Sequence, residues 1–111
     1  MLTLEKLFGG RTAALVLLYL HNYEEGYARE IAATFGLSHG QVLQQLNKLE
    51  DAGLLLSRLR GRTRVFTWSP RNPLVRPLRA LLEEGLGTLA ESEIRQHFRA
   101  RVRPRTAGKA T

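Results

Sequence analysis

Cysteine is absent from the 111-residue sequence, which excludes disulfide frameworks, thiolate metal sites and thiol-based redox switches. Long apolar runs are also absent, and no stretch approaches the roughly 20 residues needed to span a bilayer. The first residues, MLTLEKLFGG, carry an early acid and lack the basic and apolar segments of an export signal. We therefore expect a cytoplasmic protein with no membrane partner.

Acidic residues are missing from two long stretches of the chain. Residues 52–82 contain seven arginines and no carboxylate, and residues 95–111 contain five arginines and one lysine, again without acid. The formal net charge is +7, and 14 of the 17 basic residues are arginine. Clustered arginine indicates a phosphate-binding surface. Biased composition is an alternative explanation, but bias alone would not separate the two signs of charge.

Groups suited to catalysis or metal binding are scarce as well. His21, His39 and His97 are scattered, without the helical spacing or carboxylate neighbours that a metal site needs. The sequence has no glycine-rich phosphate loop and no nucleophile close to a base. We therefore predict no enzyme, no catalytic residue, no metal site and no cofactor. His39 is better interpreted as a contact to a phosphate or a base.

The first half of the chain predicts short helices. TAALVLLYLHN, residues 12–22, is apolar around most of a helical wheel and predicts a buried helix that follows the Gly9-Gly10 break. A very short strand is expected to begin at Tyr27. AREIAATF then predicts a short helix, which ends at Gly36 in the left-handed conformation that glycine favours.

A second helix and a hairpin are predicted next. Ser38, followed three residues later by Gln41, forms a capping-box pattern at the start of a helix over 38–52. An apolar stripe gives this helix its buried face, and Gly53 ends it. Two β-prone runs joined through Gly61-Arg62 then predict a hairpin. The stripe consists of Val42, Leu43, Leu46 and Leu49.

The order of elements predicts an α+β, mostly helical fold, namely a winged helix-turn-helix followed by a C-terminal helix. We place the DNA-binding domain at residues 1–72, a helical segment at 73–98 and a basic disordered tail at 99–111. Pro77 is compatible with a helix only near its start. Gly85 and Gly87 weaken the middle of the segment, so two helices with a bend remain an alternative.

The helix that starts at Ser38 has an unusual polar face for a solvated helix. Gln41, Gln44, Gln45 and Lys48 lie opposite the apolar stripe, and the first carboxylates come only at Glu50 and Asp51. The N-terminal residues of a helix in the major groove read bases, and a glutamine amide can pair with adenine at two points. A merely solvated polar face is the alternative. The predicted DNA contacts from this helix are Ser38, His39, Gly40, Gln41, Gln44, Gln45 and Lys48.

The predicted hairpin is the second candidate DNA contact. Its arginines could lie along a phosphate backbone or enter a minor groove. The alternative is a charged edge that prevents pairing between sheets. Phe66 and Trp68 alternate with arginine on the second strand, and we expect them to pack on the core. The predicted contacts are Arg58, Arg60, Arg62 and Arg64.

These motifs resemble the winged helix-turn-helix of small prokaryotic regulators of the ArsR/MarR type. The resemblance covers roughly residues 7–82, from an LFG-R-T segment at Leu7–Thr12 onward. Its most specific parts are GLSHGQV followed by LEDAGLL, and GRTRVF. It implies a dimer that binds imperfect palindromes as a repressor or autoregulator, with Ser38 as the helix cap. Metal-sensing members use thiolate clusters, so the missing cysteines leave any effector unidentified.

The leading hypothesis is therefore a homodimeric, sequence-specific regulator that binds double-stranded DNA. A two-fold interface would space two recognition helices about one DNA turn apart. Non-specific nucleic-acid binding through the wing and tail is one alternative, and a protein-interaction module is another. The leucines of the C-terminal segment are predicted to form the dimer contact, although they could instead only complete the protomer core. They are Leu78, Leu82, Leu86 and Leu89, with Leu81 beside them.

Overall fold

A computed structural model of the protein describes residues 2–89, which form five helices and a three-stranded antiparallel sheet. This architecture confirms the predicted mostly helical α+β class. The helices are α1 (Leu2–Phe8), α2 (Arg11–Tyr23), α3 (Ala28–Phe35), α4 (His39–Asp51) and α5 (Val75–Gly87). The strands are β1 (Glu25–Gly26), β2 (Leu55–Arg60) and β3 (Thr63–Trp68).

Helix α1 was not predicted from the sequence. It has seven residues, and Leu4 is the one that it buries. Leu4 packs against Gly85 of α5, where an added Cβ would lie 2.6 Å from Leu4 Cδ1. Gly9, with a φ of 90°, then turns the chain into α2. The close approach to Gly85 shows why the middle of α5 contains a glycine despite its low helix propensity.

Helix α2 is the centre of the core, as its nearly continuous apolar sequence predicts. Val16, Leu18 and Leu20 are fully buried, and the Trp68 indole donates a hydrogen bond of 3.0 Å to the Leu20 carbonyl oxygen. Burial raises the pKa of the Tyr19 hydroxyl far above its ordinary value, and the neighbouring carboxylate of Glu30 raises it further. Tyr19 therefore stays neutral where α2 meets α3.

The predicted helix-turn-helix is formed by α3 and α4. Gly36 adopts the left-handed conformation with a φ of 67°, and its N–H donates to the Ala32 carbonyl oxygen. The Ser38 hydroxyl oxygen accepts a hydrogen bond of 3.3 Å from the Gln41 N–H, which confirms the predicted helix cap. Beyond the end of α4, Gly53 is again left-handed, with a φ of 83°.

The sheet has the strand order β1-β3-β2. Strands β2 and β3 form the predicted hairpin, in which Arg60 pairs with Thr63 and Gly61 turns the chain with a φ of 67°. The short first strand was expected to begin at Tyr27, but it occupies Glu25–Gly26. Tyr27 instead precedes α3 as an extended residue, so the strand prediction was displaced by two residues.

Helix α5 is shorter than the sequence predicted. It ends at Gly87 with Thr88 after it, so residues 75–98 are not one continuous helix. Leu82 is fully buried in the protomer, and Leu89 is 8% exposed. These two leucines complete the protomer core, which is the alternative that the sequence left open for them. The remainder of the predicted segment, residues 90–98, and the tail, 99–111, lie outside the described residues.

The helices within residues 2–89 are all too short or too polar to cross a lipid bilayer.

Candidate nucleic-acid interface

The polar face of α4 lies at the protein surface. His39, Gly40, Gln41 and Gln44 are exposed, as is the capping residue Ser38 before them. Lys48 is exposed two turns after Gly40, whereas Gln45 is half-buried. Because Val42 and Leu46 are fully buried, the opposite side of the helix is fixed facing outward. The exposed face of α4 before Glu50 therefore presents uncharged hydrogen-bonding groups and one cation, Lys48, to solvent.

The acids at the end of α4 are held differently. The Glu50 carboxylate accepts a hydrogen bond of 2.5 Å from the Ser57 hydroxyl of β2, so it faces the sheet. Asp51 is exposed, and it lies seven residues beyond Gln44, or about 10 Å along the axis at about 1.5 Å per residue. The part of α4 available to an anionic partner thus lies before Glu50.

The Glu50 contact continues into the wing, defined here as strands β2 and β3 with their turn. Arg64 donates a hydrogen bond of 3.0 Å to the Ser57 hydroxyl oxygen, and Ser57 in turn donates to Glu50. Arg64, Ser57 and Glu50 therefore connect both strands to α4. This connection links the wing to the helix, so Arg64, a predicted DNA contact, is also engaged within the protein.

Arg60 is also engaged within the protein. Its guanidinium donates hydrogen bonds of 3.1 and 3.4 Å to the two carboxylate oxygens of Glu25 in β1. Both side chains are substantially exposed, so this pair contributes little to stability, about 0–1 kcal/mol. By contrast, Arg58 and Arg62 are exposed and form no hydrogen bond or ion pair with another of residues 2–89. The four predicted wing arginines are therefore not equivalent.

A basic groove of about 480 Å³, called the wing groove, separates the wing from the helix-turn-helix. Arg62 and Arg64 contribute from the wing, His39 from the start of α4, and Arg29 from the start of α3. Arg29 was not among the predicted site residues, because nothing in its local sequence shows that α3 begins opposite the wing. The complete lining is residues 27–29, His39, Leu43, residues 62–64 and Phe66.

A second groove of about 330 Å³, called the junction groove, lies beside the glutamine face of α4. Residues 8–13, where α1 meets α2, form one wall, and Gln41, Gln44, Gln45 and Lys48 form the other. Arg11 is exposed there and forms no ion pair or hydrogen bond with another of residues 2–89. The structure thus brings the LFG-R-T segment next to the predicted reading helix.

Helix α5 is anchored to α2 by a partly buried polar network. His21 of α2 is 7% exposed, and its Nε2–H donates a hydrogen bond of 2.6 Å to Glu83 of α5. Arg79 of α5 donates from Nε to His21 Nδ1 and holds both carboxylate oxygens of Glu24. Its guanidinium also lies 5.4 Å from the ring centroid of Trp68. This network joins α5 to α2 and to Trp68 of β3.

The leucines that were predicted to form the dimer contact differ in their burial within the protomer. Leu82 and Leu89 belong to the core, and Leu78 and Leu86 are partly buried against it. Leu81 is 41% exposed on the same helix. Among residues 2–89 there is no group of three or more histidine, cysteine, aspartate or glutamate side chains placed to hold a metal ion.

Comparisons with known proteins give this geometry a family context. The sequence model of bacterial regulatory proteins of the arsR family matches residues 11–57, from α2 into β2. No curated protein matches the chain by sequence.

Three solved structures have a similar fold. The antimony-specific transcriptional repressor AntR is 25% identical, covers 83% of this chain over 78% of its own, and has a TM-score of 0.60. A MarR-family transcriptional regulator from Rhodococcus sp. RHA1 is 21% identical, with a TM-score of 0.54 over 85% of this chain and 73% of that protein. The YusO protein from Bacillus subtilis is 20% identical, with a TM-score of 0.52 over 87% and 77%.

The matched segment contains both helices of the helix-turn-helix, and it ends inside β2, the first strand of the wing. Residues 11–57 are therefore similar to the helix-turn-helix of the arsR family of bacterial regulatory proteins, and the chain is a DNA-binding transcriptional regulator with a winged-helix fold.

Proposed function

We propose that the protein is a homodimeric, sequence-specific repressor that reads the major groove of double-stranded DNA with the exposed polar face of α4. The observation that carries this proposal is the exposed face of α4. Glutamine side chains follow its serine-capped N-terminus, and no carboxylate occurs in its first three turns. Phosphate contacts from the wing, chiefly Arg58 and Arg62, would position the helix without reading sequence.

A dimer would place two copies of α4 on an imperfect palindrome, with half-sites about one DNA turn apart. Helix α5 is the candidate interface, through Leu81 and the outer edges of Leu78 and Leu86. In this role the protein has no catalytic step, and it acts in the cytoplasm, where bacterial DNA is found.

We do not propose that this protein responds to antimony as the antimony-specific repressor does. This chain has no cysteine, and thiolates are the protein ligands that soft metal ions prefer. Any ligand that controls DNA binding would therefore be recognised by other groups.

The test is selection of bound fragments from randomised duplex DNA, followed by affinity measurements for the selected and scrambled duplexes over a salt series. We expect a palindromic winner bound about 10³-fold or more tightly than scrambled DNA. A steep salt dependence with a ratio near one would instead establish non-specific binding. No binding at low salt would overturn the proposal in favour of a protein partner.

A further inference from the structure

Helix α4 lies between the two basic grooves. At 3.6 residues per turn, Leu43 in the wing groove and Gln41 in the junction groove project about 160° apart around the helix. The exposed residues along the middle of this arc are Gly40, Gln44 and Asn47, which follow one another at spacings of four and three residues. Lys48 lies at the side of the junction groove, and Asp51 continues the line at the C-terminal end of the helix. The outward surface of α4 is thus one polar line with a groove on each side.

The charge of the two grooves differs from that of other cavities in the described chain. Neither groove is lined by a carboxylate, and each contains arginine from an element other than α4. Two further cavities, by contrast, contain Glu24 in one and Glu25 with Glu30 in the other, beside their arginines. Both flanks of α4 therefore carry cations without a carboxylate beside them in the groove.

The dimensions agree with those of duplex DNA. The major groove is about 12 Å wide and has one phosphodiester backbone along each edge. An α-helix with its side chains is about 10–12 Å across. When α4 enters the major groove, the two backbones must pass on either side of it, where the wing groove and the junction groove are found.

We infer that the wing groove and the junction groove hold the two phosphodiester backbones that border the major groove. Arg29 and Arg11 are then additional phosphate contacts, one on each strand, and Lys48 assists Arg11. Gln41 and Gln45 turn toward a backbone. Gln44 also lines the junction groove, but it projects about 60° from Gln41 toward the outward line of α4, and it faces the bases together with Asn47. This inference rests on the proposed function, since it concerns how the same surface holds DNA.

The availability of these side chains supports the assignment. Arg29 and Arg11 are exposed, and neither forms an ion pair or hydrogen bond with another of residues 2–89. Arg64 is held by Ser57, which leaves Arg29 and Arg62 as the cations free to contact phosphate in the wing groove. Asn47 can pair with adenine at two points, as glutamine can.

The experiment compares Arg29→Ala and Arg11→Ala with Arg71→Ala, an exposed arginine that lines neither groove. Affinities of the full chain for the selected duplex and a scrambled duplex are measured between 50 and 200 mM salt. Each groove variant should lower the slope of log affinity against log salt by about 0.9 on both duplexes. When the salt concentration rises fourfold, the affinity of the variant then falls by a factor about three times smaller than that of the parent protein. Arg71→Ala should leave the slope unchanged.

Two further measurements locate the contacts. In the first, neutral methylphosphonates replace single phosphates along the selected duplex. At a contacted phosphate the replacement should weaken binding of the parent protein. The variant that lacks the contacting arginine, Arg29→Ala or Arg11→Ala, should show no further loss of affinity there. Those sites should lie on opposite edges of one major groove. Asn47→Ala should change base preference at one position and leave the salt slope unchanged.

The inference is overturned if either groove variant behaves like Arg71→Ala, or if both map to the same edge. Failure of the proposed function looks different, because the parent protein would then show no preference for the selected duplex. The slopes on scrambled DNA would still test the grooves in that case. Thermal unfolding of each variant confirms that the comparison is made on folded protein.

Discussion

Gln44 and Arg62 separate the two tasks of the candidate interface at the level of single residues. Gln44 is exposed on the outward line of α4, whereas Arg62 lies in the turn of the wing. An amide can distinguish bases by paired hydrogen bonds, but a guanidinium on phosphate cannot. The two side chains should therefore have different effects on affinity and on selectivity.

Gln44→Ala should weaken binding to the selected duplex by about 1–3 kcal/mol and relax selectivity at one base position. Arg62→Ala should weaken selected and scrambled duplexes by the same factor and flatten the salt dependence. Titrations of both variants on both duplexes check this division. Identical behaviour of the two variants would show that α4 does not read bases.

Local residue patterns were sufficient for the helix ends and for the hairpin. Ser38, Gly36 and Gly61 each impose a geometry within three residues of themselves, so the sequence alone predicted the cap, the left-handed stop and the turn. The engagement of Arg60 with Glu25 could not be predicted in this way, because it depends on β1 pairing with β3 across the sheet. Contacts between distant elements carry no local signal.

The lack of a local sequence signal also explains why some helices, strands and groove residues were not predicted correctly. Helix α1 has seven residues and buries only Leu4, so it shows too little periodicity to be recognised. Strand β1 has two residues and shows no alternation at all. Arg29 and Arg11 were missed as site residues because the grooves arise only when α3, the wing and the α1–α2 junction are assembled around α4.

The attachment of α5 to α2 leads to a prediction at the element level. Arg79 joins His21 and Glu24 of the α2 end to α5, and it also covers Trp68 of β3. Arg79→Ala should lower the free energy of unfolding by on the order of 2–3 kcal/mol, because it removes charge-assisted hydrogen bonds and leaves partly buried acceptors without a donor.

Arg76→Ala is the matched control, because Arg76 is exposed one turn earlier on the same helix. Its effect should stay within about 0.5 kcal/mol. Urea denaturation of both variants measures the difference. Equal stabilities for the two variants would contradict a structural role for the Arg79 network.

At the scale of the whole molecule, one hydrophobic core joins the recognition helix α4 to the candidate dimer helix α5. The core residues of α2 lie between α4 on one side and α5 on the other, and Trp68 of the wing donates directly to α2. A dimer formed through α5 would therefore set the separation of the two α4 helices without a hinge between them. The dimer interface would then determine the spacing of the two half-sites on the DNA.

Leu81→Glu tests this arrangement, because Leu81 is 41% exposed and a charge there should not disturb the protomer core. We expect the variant to be monomeric in sedimentation experiments, with unchanged thermal unfolding at low concentration. It should bind an isolated half-site as the parent protein does but lose the added affinity for the palindrome, because the two recognition helices are no longer linked. Leu56→Glu places the same charge on an exposed leucine of the wing and should leave the dimer intact. A Leu81→Glu variant that remained dimeric would exclude this face of α5 as the interface, and the half-site spacing would then have to be set by another surface.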